Sequence, residues 1–488
     1  MNSKKFYITT TLPYVNDKPH LGFAMEIVQA DIIARYHQLL GEEVVFNTGT
    51  DEHGIKIYRA AMQSGKNPQD YVDEYAAKFD ALKKGLNLSY TNFIRTSDPK
   101  HKKAAQEFWK LCLAKGDIYK KNYQIKYCVG CELEKTDSEL EDGICPIHPN
   151  LQIESINEEN YFFKFSKYQK DLLALYDKNP HFVLPDFRLK EIKEFVSSGL
   201  QDFSISRLKE KLPWGVPVPD DDTQVMYVWF DALVNYISTI GWPEDEKRFN
   251  QFWPVVQVAG KDNLRQQSAM WQAMLMSAEL PPSKQIIIHG FINSNGQKMS
   301  KSLGNVIDPF ELVEKYGTDA LRFFIGHELN TFEDSDVTPE RIHDSYNANL
   351  ANGLGNLVAR VAKLCETNNI TALEFSAKDG PAFGWDPKMT VLLEAFKFNE
   401  ALNHIWGEIT EADKKVNEEK PWELSGDKAK EVLEDLVSRI QHVAFNLQPF
   451  LPETAEKIIK QFSGQISGAS LSHSARKIKS APALFPRI

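Results

Sequence analysis

Long apolar runs are missing from this chain. No stretch of about 18 apolar residues occurs, so no helix is expected to span a membrane. The N-terminal Met1-Asn2-Ser3-Lys4-Lys5-Phe6 has neither the apolar core nor the small-residue cleavage site of a secretory signal. Cysteine is scarce, with five in 488 residues. Three of them cluster (Cys128, Cys131, Cys145), which favours a reducing cytoplasm and a metal over a disulfide framework. Cys112 and Cys365 stand alone and read as small buried hydrophobes. Positive charge is not in excess either: 57 Lys plus Arg against 67 Asp plus Glu leave a net charge of −10. That excludes a protein that coats nucleic acid by bulk charge but not one with a local basic face. Two nucleotide signatures are also absent. There is no G-x-x-x-x-G-K-[ST] and no G-x-G-x-x-G after the first strand, so a P-loop NTPase and a dinucleotide oxidoreductase both lose ground.

What is present is a globular composition, 42% hydrophobic and 25% charged, long enough for about three domains. Phe6 to Leu12 is rich in β-branched and aromatic residues and reads as a strand. Pro13 and Asn16-Asp17 mark a turn. From Gly22 the period becomes helical, with Ala24, Val28, Ile32 and Tyr36 on one face and Asp31 and Arg35 elsewhere, until Gly41. Glu43 to Asn47 is a second strand that runs into Gly49-Thr50-Asp51-Glu52-His53-Gly54. Strand, helix, strand is a βαβ unit, which predicts a parallel sheet with ligands at the carboxyl ends of its strands. Strand-like runs return at Val255–Ala259 and Gln285–Ile288. Beyond about residue 325 clear strands disappear, and Leu350, Leu354, Leu357 and Val361 share one side of a helical stretch.

The reading is therefore an α/β protein. A Rossmann-like parallel sheet (residues 1–117 and 186–325) is split by an insertion at 118–185 and followed by an all-α region at 326–488. Within the insertion, Cys128-Val129-Gly130-Cys131 and Cys145-Pro146-Ile147-His148 form C-x2-C, thirteen residues, then C-x2-H. Two knuckles offer four ligands, which suits a closed, structural Zn²⁺ site with no open position for a reactive water. Pro19-His20-Leu21-Gly22 sits at a helix N-terminus, where free N–H groups and the dipole attract phosphate. Lys298-Met299-Ser300-Lys301-Ser302 follows a strand in a polar loop. Its lysines could neutralise charge growing on a leaving pyrophosphate.

This pairing resembles the two signatures of class I aminoacyl-tRNA synthetases. Further matches are similar to the methionyl-tRNA synthetase family: Leu12-Pro13-Tyr14-Val15-Asn16, the Gly49–Gly54 loop, the metal knuckles, Tyr227-Val228-Trp229-Phe230-Asp231-Ala232, Gly260-Lys261-Asp262, Lys298 through Pro309, and Leu484-Phe485-Pro486-Arg487. The resemblance covers essentially the whole chain. It implies ATP-dependent activation of methionine to an adenylate and transfer to the 3′ end of a tRNA, with Mg²⁺ sharing the phosphate charge. By matched position it implies that His20, Lys298 and Lys301 are catalytic. His20, Gly22, Phe23, Gly260, Asp262, His289, Gly290, Met299 and Lys301 would bind ATP. Leu12, Tyr14, Asp51, Trp229, Leu233, Tyr236, Asn263, Gln266 and Gln267 would bind the amino acid, with Asp51 on its ammonium. Asn356 and Arg360, one helical turn apart, and Trp422 would read the anticodon of tRNA(Met), the tryptophan by stacking on an unpaired base. Basic residues near the end (Lys457, Lys460, Arg476, Lys477, Lys479, Arg487) would offer RNA a local face if they gather on one side. No appended dimerising domain is recognisable, so a cytoplasmic monomer is expected.

Three positions depart from the family pattern. Phe23 stands where a second histidine is usual, and phenylalanine cannot donate a hydrogen bond to a phosphate. Asn263, Gln266 and Gln267 replace an aliphatic residue, an aromatic and a histidine. Trp271-Gln272 replaces an aromatic-proline pair. Two alternatives to a methionine enzyme follow: a paralogue that activates a more polar amino acid, or a catalytically weakened tRNA-binding protein.

Overall fold

A computed structural model describes residues 4–131, 133–135, 137–299, 304–372, 385–463 and 476–488. Its centre is a parallel sheet of six strands in the order Asn92–Arg95, Glu43–Thr50, Lys5–Thr10, Val256–Gly260, Gln285–His289, Val183–Leu184. Lys5–Thr10 (β1) pairs with Glu43–Thr50 (β2) on one side and with Val256–Gly260 on the other, in register Ile8 with Phe46 and Ile8 with Val256. Successive strands are therefore added in opposite directions on the two sides of β1. This is the switch point beyond which open α/β sheets leave a crevice.

Leu21–Leu39 (α1) follows β1. Ala24, Val28, Ile32 and Tyr36 are buried, as the period predicts, but so are Glu26, Gln29 and Asp31. Asp31 is not on a solvated face. The helix is covered by the sheet on one side and by the C-terminal helices on the other, so it is buried nearly all round. Gly41, at φ +77, takes the left-handed conformation that ends the helix cheaply.

The insertion is a four-stranded antiparallel sheet in the order Leu133–Lys135, Ile118–Cys128, Glu154–Phe163, Phe203–Ser204. Two short strands cross the boundary the sequence suggests at residue 185. Val183–Leu184 joins the main sheet, while Phe203–Ser204 extends the inserted one. Two-residue strands carry no readable period, and only their partners define them. After residue 325 the strand Ser335–Val337 pairs with Ile292–Ser294 before helices take over. Leu350, Leu354, Leu357 and Val361 then pack in the core beside Phe398–Glu419 and Gly426–Leu447. Among the described residues no helix is long and apolar enough to cross a membrane.

One buried guanidinium ties α1 to the C-terminal helices. Arg322 Nη2 lies 2.8 Å from Asp31 of α1, and the same guanidinium donates to the carbonyls of Leu86, Pro449 and Phe450 at 2.8–3.0 Å. Asp31 also accepts from Arg35 and Ser89. Cys112 and Cys365 are buried, and burial pushes both thiols up to about 12, so neither is a nucleophile.

Candidate active site

At the carboxyl end of the sheet, over the β1 switch point, a cavity of about 440 Å³ opens. Its walls bring together residues far apart in sequence: Leu12, Tyr14, His20, Gly22, Phe23 and Asp51 from the first half; Trp229, Leu233, Tyr236, Gly260, Asp262, Asn263, Gln266, Gln267, His289, Gly290 and Met299 from the second.

His20 caps α1. Its Nδ1 accepts from the Gly22 N–H at 3.1 Å. The surrounding protein displaces solvent and lowers the His20 pKa, against the pull of Asp17 and Asp262. The ring is thus neutral near pH 7. With Nδ1 accepting, Nε2 carries the proton and remains a donor. A Cβ on Gly22 would sit 2.9 Å from the His20 ring and 3.7 Å from Met299 Cε. The two signatures therefore meet at this glycine. The chain beyond Met299 returns to the same turn, where Leu21 N donates to Ile307 O at 3.0 Å. Lys298 ends a short hairpin with Asn293. Lys301 lies outside the described residues.

Gly290 is required by a close approach of backbone. A Cβ there would fall 2.2 Å from the Glu333 carbonyl oxygen. Beside it, His289 Nε2 is 2.9 Å from Glu26 and Nδ1 is 2.7 Å from the Gly290 carbonyl. Burial opposes a charge on this imidazole, but the Glu26 carboxylate outweighs it and raises the His289 pKa. Glu26 in turn accepts from the Thr11 N–H and hydroxyl at 2.7 and 2.6 Å, which fixes the end of β1. Sequence reading missed Glu26. Its one signal is a carboxylate among the apolar residues that open α1.

The Gly49–Gly54 loop is held by a second buried network. His53 Nδ1 and His101 Nε2 bond the two oxygens of Asp231 at 2.7 and 2.9 Å. Burial would raise the Asp231 pKa, yet the two imidazoles hold it at about 2. This ties the Tyr227–Ala232 motif to the loop that presents Asp51. Glu52 is anchored by Arg95 at 2.6 and 3.0 Å and by Thr50. Asp51 itself faces the cavity, with Asp51 N bonded to Pro13 O at 3.0 Å. His101 and Arg95 carry no sequence signal, because their partners are distant in the chain.

The three departures have local accounts. Phe23 packs edge-on against Phe79 at 5.4 Å and supplies no donor. Gln266–Met270 is a π-helical turn, the wide turn often found at functional sites. Gln267 accepts from Gln257 at 2.7 Å, and Gln257 accepts from Ser283. Gln272 donates to the Gln267 carbonyl at 2.8 Å and accepts from Ser283 N at 2.9 Å. Gln267 and Gln272 therefore belong to one internally satisfied network, which explains why the two amides occur together. Asn263 donates to Asp262 at 3.3 Å.

The metal knuckles border the same cavity through Cys131 and His148. Cys128, Cys131, Cys145 and His148 place their ligand atoms within 4.8 Å of one another. The Cys131–Cys145 Sγ separation is 3.6 Å, and His148 Nδ1 is 3.8 Å from Cys128 Sγ and 3.2 Å from Cys131 Sγ. A tetrahedron with ~2.3 Å Zn–S bonds has edges of about 3.8 Å, so the donor set and spacing fit Zn²⁺.

In the helical region Asn356 is exposed and Arg360 is held by Asp413 at 2.7 Å and Asn417 at 2.8 Å. Trp422 is 53% exposed, so it is not a core tryptophan. It follows Lys420, whose left-handed backbone (φ 44) turns the chain out of Phe398–Glu419.

Comparison with known proteins adds the following. Residues 6–157 and 149–362 match the model of the family described as tRNA synthetases class I (M). The chain is 40% identical over 476 residues to the methionine–tRNA ligase of Thermotoga maritima, covering 94% of this chain and 75% of that protein. It is 41% identical over 476 residues to the methionine–tRNA ligase of Brucella suis, covering 94% and 92%. Among solved structures, Mycobacterium tuberculosis methionyl-tRNA synthetase in complex with methionyl-adenylate superposes with a TM-score of 0.90 at 34% identity, covering 99% of this chain and 100% of that one.

Proposed function

The chain belongs to the methionine–tRNA ligases, a family of class I tRNA synthetases, and from that premise we propose how its cavity carries out the reaction. The enzyme activates methionine with ATP and passes the aminoacyl group to tRNA. In the first step the amino-acid carboxylate attacks the α-phosphate in line and pyrophosphate leaves. The nucleophile is already an anion, so no general base is required. Catalysis consists of positioning and of stabilising charge as it develops.

His20, neutral with Nε2 free to donate, contacts the phosphates, with the N–H groups that open α1 beside it. Lys298 and Lys301 supply positive charge for the leaving pyrophosphate. A magnesium ion bound with ATP would share the phosphate charge with these lysines. Gly22, Gly260, Asp262, His289, Gly290 and Met299 cradle the adenosine, with Phe23 as packing. Asp51 pairs with the substrate ammonium, and Leu12, Tyr14, Trp229, Leu233 and Tyr236 wall its side chain. Cys128, Cys131, Cys145 and His148 hold a structural zinc, which cross-links the insertion at the cavity rim. Asn356, Arg360 and Trp422 contact the anticodon.

The observation that carries this reading is the meeting of the His20–Gly22 turn and Met299 over the β1 switch point. ATP–pyrophosphate exchange across the protein amino acids tests it. Methionine should give the highest kcat/KM, and a higher value for any other of them refutes the reading. For the anticodon, W422A should raise the KM for tRNA about 5- to 150-fold, the range of one lost base stack. An unchanged KM removes Trp422 from that surface.

A further inference from the structure

The cavity wall carries polar atoms that a methionine side chain does not satisfy. Gln266 is 3% exposed and lines the cavity, yet its Oε1 is buried without a hydrogen-bond partner. Trp229 lines the same cavity, and its Nε1–H is also buried and donates to no acceptor. Their neighbour Gln267 is different, because its amide is engaged by Gln257. A thioether has no donor and only a weakly accepting sulfur. Each buried polar group left unpaired costs about 1–3 kcal/mol. A pocket with such groups recognises a ligand that pairs them better than one that does not.

An oxygen on the sulfur supplies the missing partner at unchanged chain length. A sulfoxide oxygen accepts from the Trp229 N–H. It also accepts from the Gln266 amide turned about its last bond, which exchanges Oε1 and Nε2 with almost no change of shape. We infer that this enzyme also activates methionine sulfoxide, with Gln266 and Trp229 as the pair that recognises the S-oxide. The bond changes are those of the established reaction. A carboxylate oxygen bonds to the α-phosphorus, the bond to pyrophosphate breaks, and the oxidation state of sulfur does not change. The inference rests on the ligase reading above.

The test is ATP–pyrophosphate exchange with methionine and with methionine sulfoxide, for the wild-type protein and for Q266L. Wild type should show saturable exchange with both. Q266L should lower the ratio of kcat/KM for sulfoxide over methionine by about 5- to 150-fold, as loss of one buried hydrogen bond requires. Exchange with methionine but none with sulfoxide overturns the inference and leaves the ligase reading intact. An equal change for both substrates in Q266L also overturns it. No wild-type exchange with either substrate overturns both readings.

Discussion

Replacing Arg322 by methionine tests how the helical region is held to the catalytic sheet. The guanidinium is fully buried and contacts Asp31 and three backbone carbonyls. Removing it leaves a buried carboxylate and three acceptors short of a donor. Breaking a buried pair from one side costs about 3–5 kcal/mol. Asp31 keeps Arg35 and Ser89, so the expected loss is at the lower end, about 3 kcal/mol. The sign of the coupling is the sharper prediction. D31N removes the charge that R322M strands, so R322M/D31N should be more stable than R322M alone. Urea unfolding followed by far-UV circular dichroism gives the comparison for all four proteins, and hydrogen exchange in α1 reports the helix that carries both Asp31 and the His20 cap. A loss below about 1 kcal/mol in R322M, or a double variant whose loss equals the sum of the two single ones, would refute the reasoning.

Three further outcomes follow. In E26Q the carboxylate that raises the His289 pKa is gone. The stabilisation from that pair is complete below the ordinary histidine value and fades as pH rises through the raised one. The stability gap between wild type and E26Q should therefore be wide near pH 6 and narrow upward (about pH 6 is just below the free value); a gap that widens with pH contradicts the assignment. G290A places a Cβ 2.2 Å from the Glu333 carbonyl. The backbone must shift, and kcat/KM for ATP should fall by about 10²-fold, so wild-type kinetics would show that the approach is not needed. Elemental analysis should find one zinc per chain, lost in C131S with a lower unfolding midpoint; metal-free protein of unaltered stability and activity argues against the site.

Much of the architecture was legible locally. The aromatic and β-branched run at Phe6 to Leu12, the helical period from Gly22 and the stop at Gly41 each reflect backbone preferences that act over a few residues. The paired knuckles were legible because two ligands on one tight turn must be close in sequence, and the cavity residues because they sit in contiguous motifs. The edge strand Val183–Leu184 was not, since two residues show no period and only pairing with Gln285–His289 makes them a strand.

By itself the sequence determined the βαβ start, the clustered Cys and His knuckles and the signatures at either end of the catalytic half. These depend on short-range spacing. The tertiary structure decided what depends on distant partners: that Asp31 is buried by Arg322, that Glu26 raises the His289 pKa, and that His53 and His101 share Asp231. It also separated the amides. Gln267 and Gln272 are satisfied by residues elsewhere in the chain, while Gln266, which lines the cavity, has its carbonyl buried without a partner. Whether a buried polar group is paired is a property of the folded neighbourhood, and three amides that look alike in sequence have different energies within it.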